Sequence, residues 1–197
     1  MNLPNKLSML RIFLIPVVMF FILPLSYAGD SAFLNGVVNN QMLIAAFVFI
    51  IASLTDLLDG KIARKYNLIT NLGKFLDSLA DKMLIIAVLI AFVEIGRISS
   101  WGLMIIVLRE FMVTGIRMLA AEKGTVMAAK MIGKIKTTIQ MIAIIYLLFE
   151  PSIISISGHE NVVCLIGNIL FYICVIMTVV SGMDYLLKNL NYLKEEK

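Results

Sequence analysis

Four aspartates fall within one stretch of 26 residues: Asp56, Asp59, Asp77 and Asp81, in the segment TDLLDGKIARKYNLITNLGKFLDSLAD that runs from Thr55 to Asp81. Spacings of three and four place each pair on one face of a helix. Such a set cannot stay ionised beside lipid without compensation, because an unpaired charge out of water is costly. Hard divalent cations such as Mg²⁺ compensate through oxygen ligands. A carboxylate in the same cluster can also take the proton of an attacking hydroxyl within hydrogen-bond reach. Two plainer uses compete: helix caps and solvated end charges, or salt bridges to Lys61, Arg64, Lys65, Lys74 and Lys82.

The elements that must position these residues are membrane helices. Of 197 residues, 60% are hydrophobic and 15% charged, against about 45–50% and 25% in soluble domains. The apolar residues gather in runs near the roughly 20 needed to cross a bilayer, and in lipid such runs must be helical. The expectation is an all-α integral membrane protein, a bundle of six transmembrane helices over 7–26, 40–59, 73–94, 101–121, 129–149 and 162–186. Connections are short, so 1–197 reads as a single membrane domain. Basic residues cluster at the amino terminus (Lys6, Arg11), in the second connection (Lys61, Arg64, Lys65, Lys74), in the fourth (Lys123, Lys130) and in the tail (Lys188, Lys194, Lys197). Lys and Arg mark the cytoplasmic side, which puts both termini and all four aspartates there. The first run, with Pro16 and Pro24, is read as a retained helix and not a signal peptide.

A second set of charges lies in helix four, LREFMVTGIRMLAAEKG, with Arg109, Glu110 and Arg117. Intramembrane charges usually face a cavity. Arg109 and Arg117 stand about 12 Å apart along the axis and roughly 80° apart around it, so both can line one polar pocket. Lys130, Lys134 and Thr137 share a face of helix five, whereas Lys136 points about 160° away from Lys134. A cationic pocket suits an acceptor that carries its own phosphate. The alternative is that Arg109 pairs with Glu110 or another acid while the lysines reach lipid headgroups.

The residues fit D-x2-D-G-x2-A-R-x8-G-x3-D-x3-D at eight positions: Asp56, Asp59, Gly60, Ala63, Arg64, Gly73, Asp77 and Asp81. This resembles the signature of the CDP-alcohol phosphotransferase family. The resemblance implies that Asp56, Asp59, Asp77 and Asp81 coordinate two divalent ions, Mg²⁺ or Mn²⁺, and that Asp81 is the general base. It implies that Gly60, Ala63 and Arg64 hold the CDP part of a CDP-activated lipid, with Thr70 near the diphosphate. The small residues would admit a pyrimidine or phosphate to the backbone, and the guanidinium fork suits phosphate oxygens. Three further segments, LPNKLSMLR, LRE…R and GKIKT, resemble the bacterial members that move a phosphatidyl group from CDP-diacylglycerol to glycerol 3-phosphate. On that resemblance Arg109, Arg117 and Lys134 hold the glycerol phosphate, and Asn5 lies by the nucleotide near a short amphipathic segment on the membrane surface. It further implies a homodimer in the bacterial cell membrane, with the active site at its cytoplasmic face.

The remaining features carry little chemistry. Net charge is +4 without a basic stripe interleaved with aromatics, which argues against nucleic acid. Cys164 and Cys174 are about 15 Å apart along one helix, too far for a disulfide. His159, the sole histidine, reads as a solvated loop residue, and Trp101 as an interfacial anchor. Other acceptors (serine, inositol phosphate or a lipid) and a small transporter remain as competing functions.

Overall fold

A computed structural model describes the backbone of residues 3–23, 40–65, 71–122 and 131–189, and their side chains except those of 3–8, 56–65, 71–78 and 122. Within these residues the structure is all helix: α1 (Leu3–Ile22), α2 (Gln41–Lys65), α3 (Asn71–Glu94), α4 (Ser100–Glu122), α5 (Met131–Ser157) and α6 (Glu160–Lys188). α5 and α6 are long and apolar enough to cross a membrane, and shorter apolar stretches cover Met9–Ile22 and Gln41–Thr55. Each helix matches one expected run, with shifted ends. α1 is helical from Leu3 and stops at Ile22 instead of 26, and Pro24 lies outside the described residues. α2 continues to Lys65 instead of ending at 59. α5 passes Pro151 and ends at Ser157 instead of 149.

The chain divides into two compact units. The first comprises residues 1–97 together with Leu148–Gly158. Here α1 packs against both α2 and α3. Arg11, Ile15, Val18 and Ile22 recur at helical spacing and are buried. α2 buries Ala45, Ala46, Phe49 and Ala52, and α3 buries Ala80, Leu84, Ala87, Val88, Ala91 and Phe92. So many alanines let helix backbones approach, which matters where dispersion and not water exclusion drives helix association. The end of α5 joins this unit through a perpendicular ring contact of Phe47 with Phe149, centroids 6.1 Å apart. A 2.8 Å ion pair of Arg97 Nε with Glu150 adds to it.

Two helices close on glycine. Gly96 has φ +71°; its N–H donates to Val93 O, and Arg97 N–H donates to Phe92 O. This double closure, with a left-handed residue just past the end, satisfies two orphan carbonyls of α3. Gly158, φ +69°, ends α5 with a single N–H donated to Ile154 O.

The second unit comprises Ile98–Leu147 and residues 159–197. α4 packs on α6, closely enough that a Cβ on Gly102 would come within 2.6 Å of the Phe171 ring. Val113, Ile116 and Tyr185 form a buried cluster with Met112 and Leu186 against it. α5 contributes a buried face of Lys136, Gln140, Ala143, Ile144 and Leu147, and Tyr146 Oη donates to Val163 O at 3.0 Å. Along α6, Leu165, Ile169, Tyr172, Ile176 and Met183 are exposed, an apolar surface suited to lipid. Both cysteines are free, and His159 is exposed just before α6. Trp101, 72% exposed, opens α4.

Candidate functional site

The acidic motif is borne by two helices of the first unit. Positions 56 and 59 fall in the last turns of α2, and positions 77 and 81 in the second and third turns of α3. Backbone spacing of three and four keeps each pair on one helix face. The stretch from Gly60 to Lys65, expected as connection, is helix. Its residues Lys-Ile-Ala-Arg-Lys include strong helix formers, enough to carry the helix through one glycine. Positions 60, 63 and 64 therefore follow Asp56 and Asp59 on one helix. The side chains of Asn5, Asp56, Asp59, Gly60, Ala63, Arg64 and Asp77 lie outside the described residues, as does Thr70 entirely. Asp81 is described and half-buried, next to the fully buried Ala80. Among the described side chains no group of three acidic, histidine or cysteine residues stands together.

The cationic set lies in the second unit; Lys130 falls outside the described residues, while Arg109, Arg117, Lys134 and Lys136 are described. Arg109, Arg117, Ile132, Gly133, Ser181, Asp184 and Tyr185 line a recess. Arg109 and Arg117 thus share one pocket, as their helical offset predicts. Arg109 is held at both tips of its fork. Nη1 donates to Glu110 Oε1 at 3.0 Å, and Nη2 donates to Ser181 Oγ at 2.8 Å. Glycine at 182 makes room for it, whereas a side chain at 133 would meet it only in ordinary contact. A Cβ on Gly182 would come within 3.0 Å of Arg109 Cγ, and one on Gly133 within 3.7 Å of Nη2. Arg117 stacks its guanidinium over the Tyr185 ring, 5.7 Å from the centroid, a cation–π contact that fixes the group without consuming its N–H donors. Asp184 pairs with Lys188 one turn along α6.

Glu110 is shared. Lys136 Nζ donates to Glu110 Oε1 at 2.5 Å and to Gln140 Oε1 at 2.5 Å. Lys136 is 1% exposed and Gln140 likewise 1%. The pairing of Arg109 with Glu110, one of the two readings open from sequence, is present together with the pocket and not in place of it. Lys134, expected as the third cation, is exposed and outside the lining. The lysine that turns inward is Lys136, on the opposite side of α5.

Sequence reasoning missed Ser181, Asp184 and Tyr185. A usable signal was present: two polar residues three apart in a long apolar run share a face, and an intramembrane acid is expensive unless it is used. Lys136 stands out in the sequence only as the lysine on the far side from Lys134. Its depth follows from the buried apolar positions Ala143, Ile144 and Leu147 that continue its face.

Residues 1–180 match the family model described as CDP-alcohol phosphatidyltransferase. A protein of Bacillus subtilis (strain 168) named CDP-diacylglycerol--glycerol-3-phosphate 3-phosphatidyltransferase is 43% identical over 198 residues, covering 98% of this chain and 97% of that one. Proteins of the same name from Rickettsia felis and Salmonella choleraesuis are 34% identical over 188 residues (93% of each chain) and 33% over 192 residues (94% and 93%). With the signature on α2 and α3 and a match over nearly its whole length, the chain is a member of the CDP-alcohol phosphatidyltransferase family.

Proposed function

We propose that this enzyme transfers a phosphatidyl group from CDP-diacylglycerol to sn-glycerol 3-phosphate, giving phosphatidylglycerophosphate and CMP. The name shared by its relatives supports the donor and acceptor. The observation that carries the acceptor is the recess that holds two arginines and a serine hydroxyl together, a set of donors suited to a phosphomonoester.

The acceptor's free primary hydroxyl attacks the phosphorus that bears the diacylglycerol. A new P–O bond forms, the P–O bond to the CMP phosphate breaks, and CMP leaves with that electron pair. Asp81 takes the hydroxyl proton as general base. Gly60, Ala63 and Arg64 hold the nucleotide, with Thr70 at the diphosphate and Asn5 beside it. Arg109 and Arg117 bind the acceptor phosphate, and Lys134, exposed and outside the lining of the recess, is a third cation for the same anion. Asp56, Asp59, Asp77 and Asp81 offer an all-oxygen donor set from two helices, which fits Mg²⁺ or Mn²⁺. When bound, two such ions would supply positive charge to the entering and leaving oxygens.

The chain is read as one domain of six membrane-spanning helices with a short amphipathic segment at its amino terminus. It is placed in the bacterial cell membrane as a homodimer, with the motif at the cytoplasmic face. The alternation of basic connections supports the orientation. The direct test is CMP release by purified protein given CDP-diacylglycerol, Mg²⁺ and one alcohol at a time. Glycerol 3-phosphate is expected to support release. Release with serine or inositol phosphate but not with glycerol 3-phosphate refutes the acceptor.

A further inference from the structure

The reaction above gives no role to Glu110, Lys136 and Gln140, which lie largely out of contact with water. Taking charge out of water and leaving it idle is expensive, so their placement calls for a reason. Glu110 accepts from Arg109 on its own helix and from Lys136 on α5 through the same oxygen, Oε1. Lys136 is anchored in turn by Gln140 one turn along α5. Side-chain exposures of 12%, 17% and 2% for Arg109, Glu110 and Lys136 show water largely excluded from all three.

Consider Arg109 with Glu110 alone. The carboxylate would fix the guanidinium but also cancel its charge, and a neutral pair attracts a phosphate weakly. Adding Lys136 changes the sum: two cations and one anion leave a net +1 within the cluster. Glu110 can then serve as a tether without silencing the arginine it holds. Nη2, bonded to Ser181 on the recess wall, faces the ligand side. Low effective dielectric makes this balance matter more than it would at a surface.

We infer that Glu110 and Lys136 form a charge-balanced tether that positions Arg109 for the acceptor's phosphate, with Lys136 neutralising the carboxylate so that the arginine keeps its attraction for an anion. Neither group touches the acceptor; both are positioning residues. The inference rests on the reading of Arg109 as an acceptor-binding group.

Acceptor kinetics of three variants test it: Lys136→Met, the double variant Glu110→Gln/Lys136→Met, and Arg109→Ala. Lys136→Met leaves Glu110 to cancel Arg109 and is expected to raise the KM for glycerol 3-phosphate about tenfold, with kcat and the KM for CDP-diacylglycerol within about twofold. The double variant keeps an amide oxygen to accept from Arg109 but removes both balancing charges. Its acceptor KM is expected to return to within about threefold of wild type. A merely structural role predicts the reverse, a double variant at least as impaired as the single one. An unchanged acceptor KM in Lys136→Met, with a raised one in Arg109→Ala, overturns the tether while sparing the pocket. An unchanged KM in Arg109→Ala overturns the pocket itself. Should Lys136→Met fail to fold, Lys136→Gln takes its place, with the same expected rise and the same overturning result.

Discussion

The two candidate charge sets, one in each compact unit, are assembled in opposite ways. In the first, the acidic positions come in pairs three or four residues apart, each pair on one helix, so local backbone geometry alone aligns them. In the second, no two charged partners of Arg109's cluster on different helices are near in sequence. Lys136 lies 26 residues from Glu110, and Ser181 lies 72 from Arg109. The first arrangement survives wherever α2 and α3 are helical. The second exists only if α4, α5 and α6 pack correctly. The division suits the two roles proposed for them. Hard-ion ligation tolerates few changes of residue type, whereas recognition of an acceptor is a matter of shape and net charge that packing can adjust.

The comparison can be broken by asking whether the two sets fail differently. Asp81→Asn is expected to have the largest effect, a loss of CMP release of about a hundredfold to ten-thousandfold with the protein still folded, since it removes the proposed general base. Unimpaired turnover in that variant ends Asp81's role. Arg109→Ala is expected to act on the other arm, raising the acceptor KM about tenfold or more with little change in kcat. If both variants lose kcat alike, the two units do not divide catalysis and acceptor binding as described.

Packing of the second unit supplies a sharper probe. Gly102→Ala would drive a methyl into the Phe171 ring edge and is expected to destabilise by about 1–3 kcal/mol, read as a lower melting temperature in detergent. Phe171→Leu in the same chain should recover part of that loss, and a stable single variant would show that α4 and α6 can part without cost. The smallest effect is expected at Gly96, where Gly96→Ala forces a side chain into the left-handed region at a cost of about 1 kcal/mol. Its effect should appear in stability and leave both KM values unmoved.

Much of the first unit is legible in the amino-acid sequence. Apolar run length marks each helix, and the spacing of the aspartates marks their shared faces. Two of the helix ends that differ from expectation show why. Gly60 reads as a boundary, yet the helix formers after it outweigh one glycine. Pro151 lies beyond the expected end of α5; it removes the N–H that would meet the Leu147 carbonyl and crowds that carbonyl, yet the helix continues to Ser157. The second unit is half legible. The offset of Arg109 and Arg117 foretells a shared recess, while the choice between Lys134 and Lys136 depends on which face of α5 turns inward. Ser181 and Asp184 join the recess only through the packing of α6, which no local pattern in helix four or five encodes.

The closure of α3 bears on how that end of the helix breathes. The amides of Gly96 and Arg97 are committed to Val93 and Phe92 although both residues lie past the last helical position. Isotope exchange should therefore stay slow through residue 97, where a helix without such a lock would exchange within its final turn. A boundary facing headgroups or water can in this way be abrupt, with the chain leaving the helix in a single step and no frayed turn for solvent to enter.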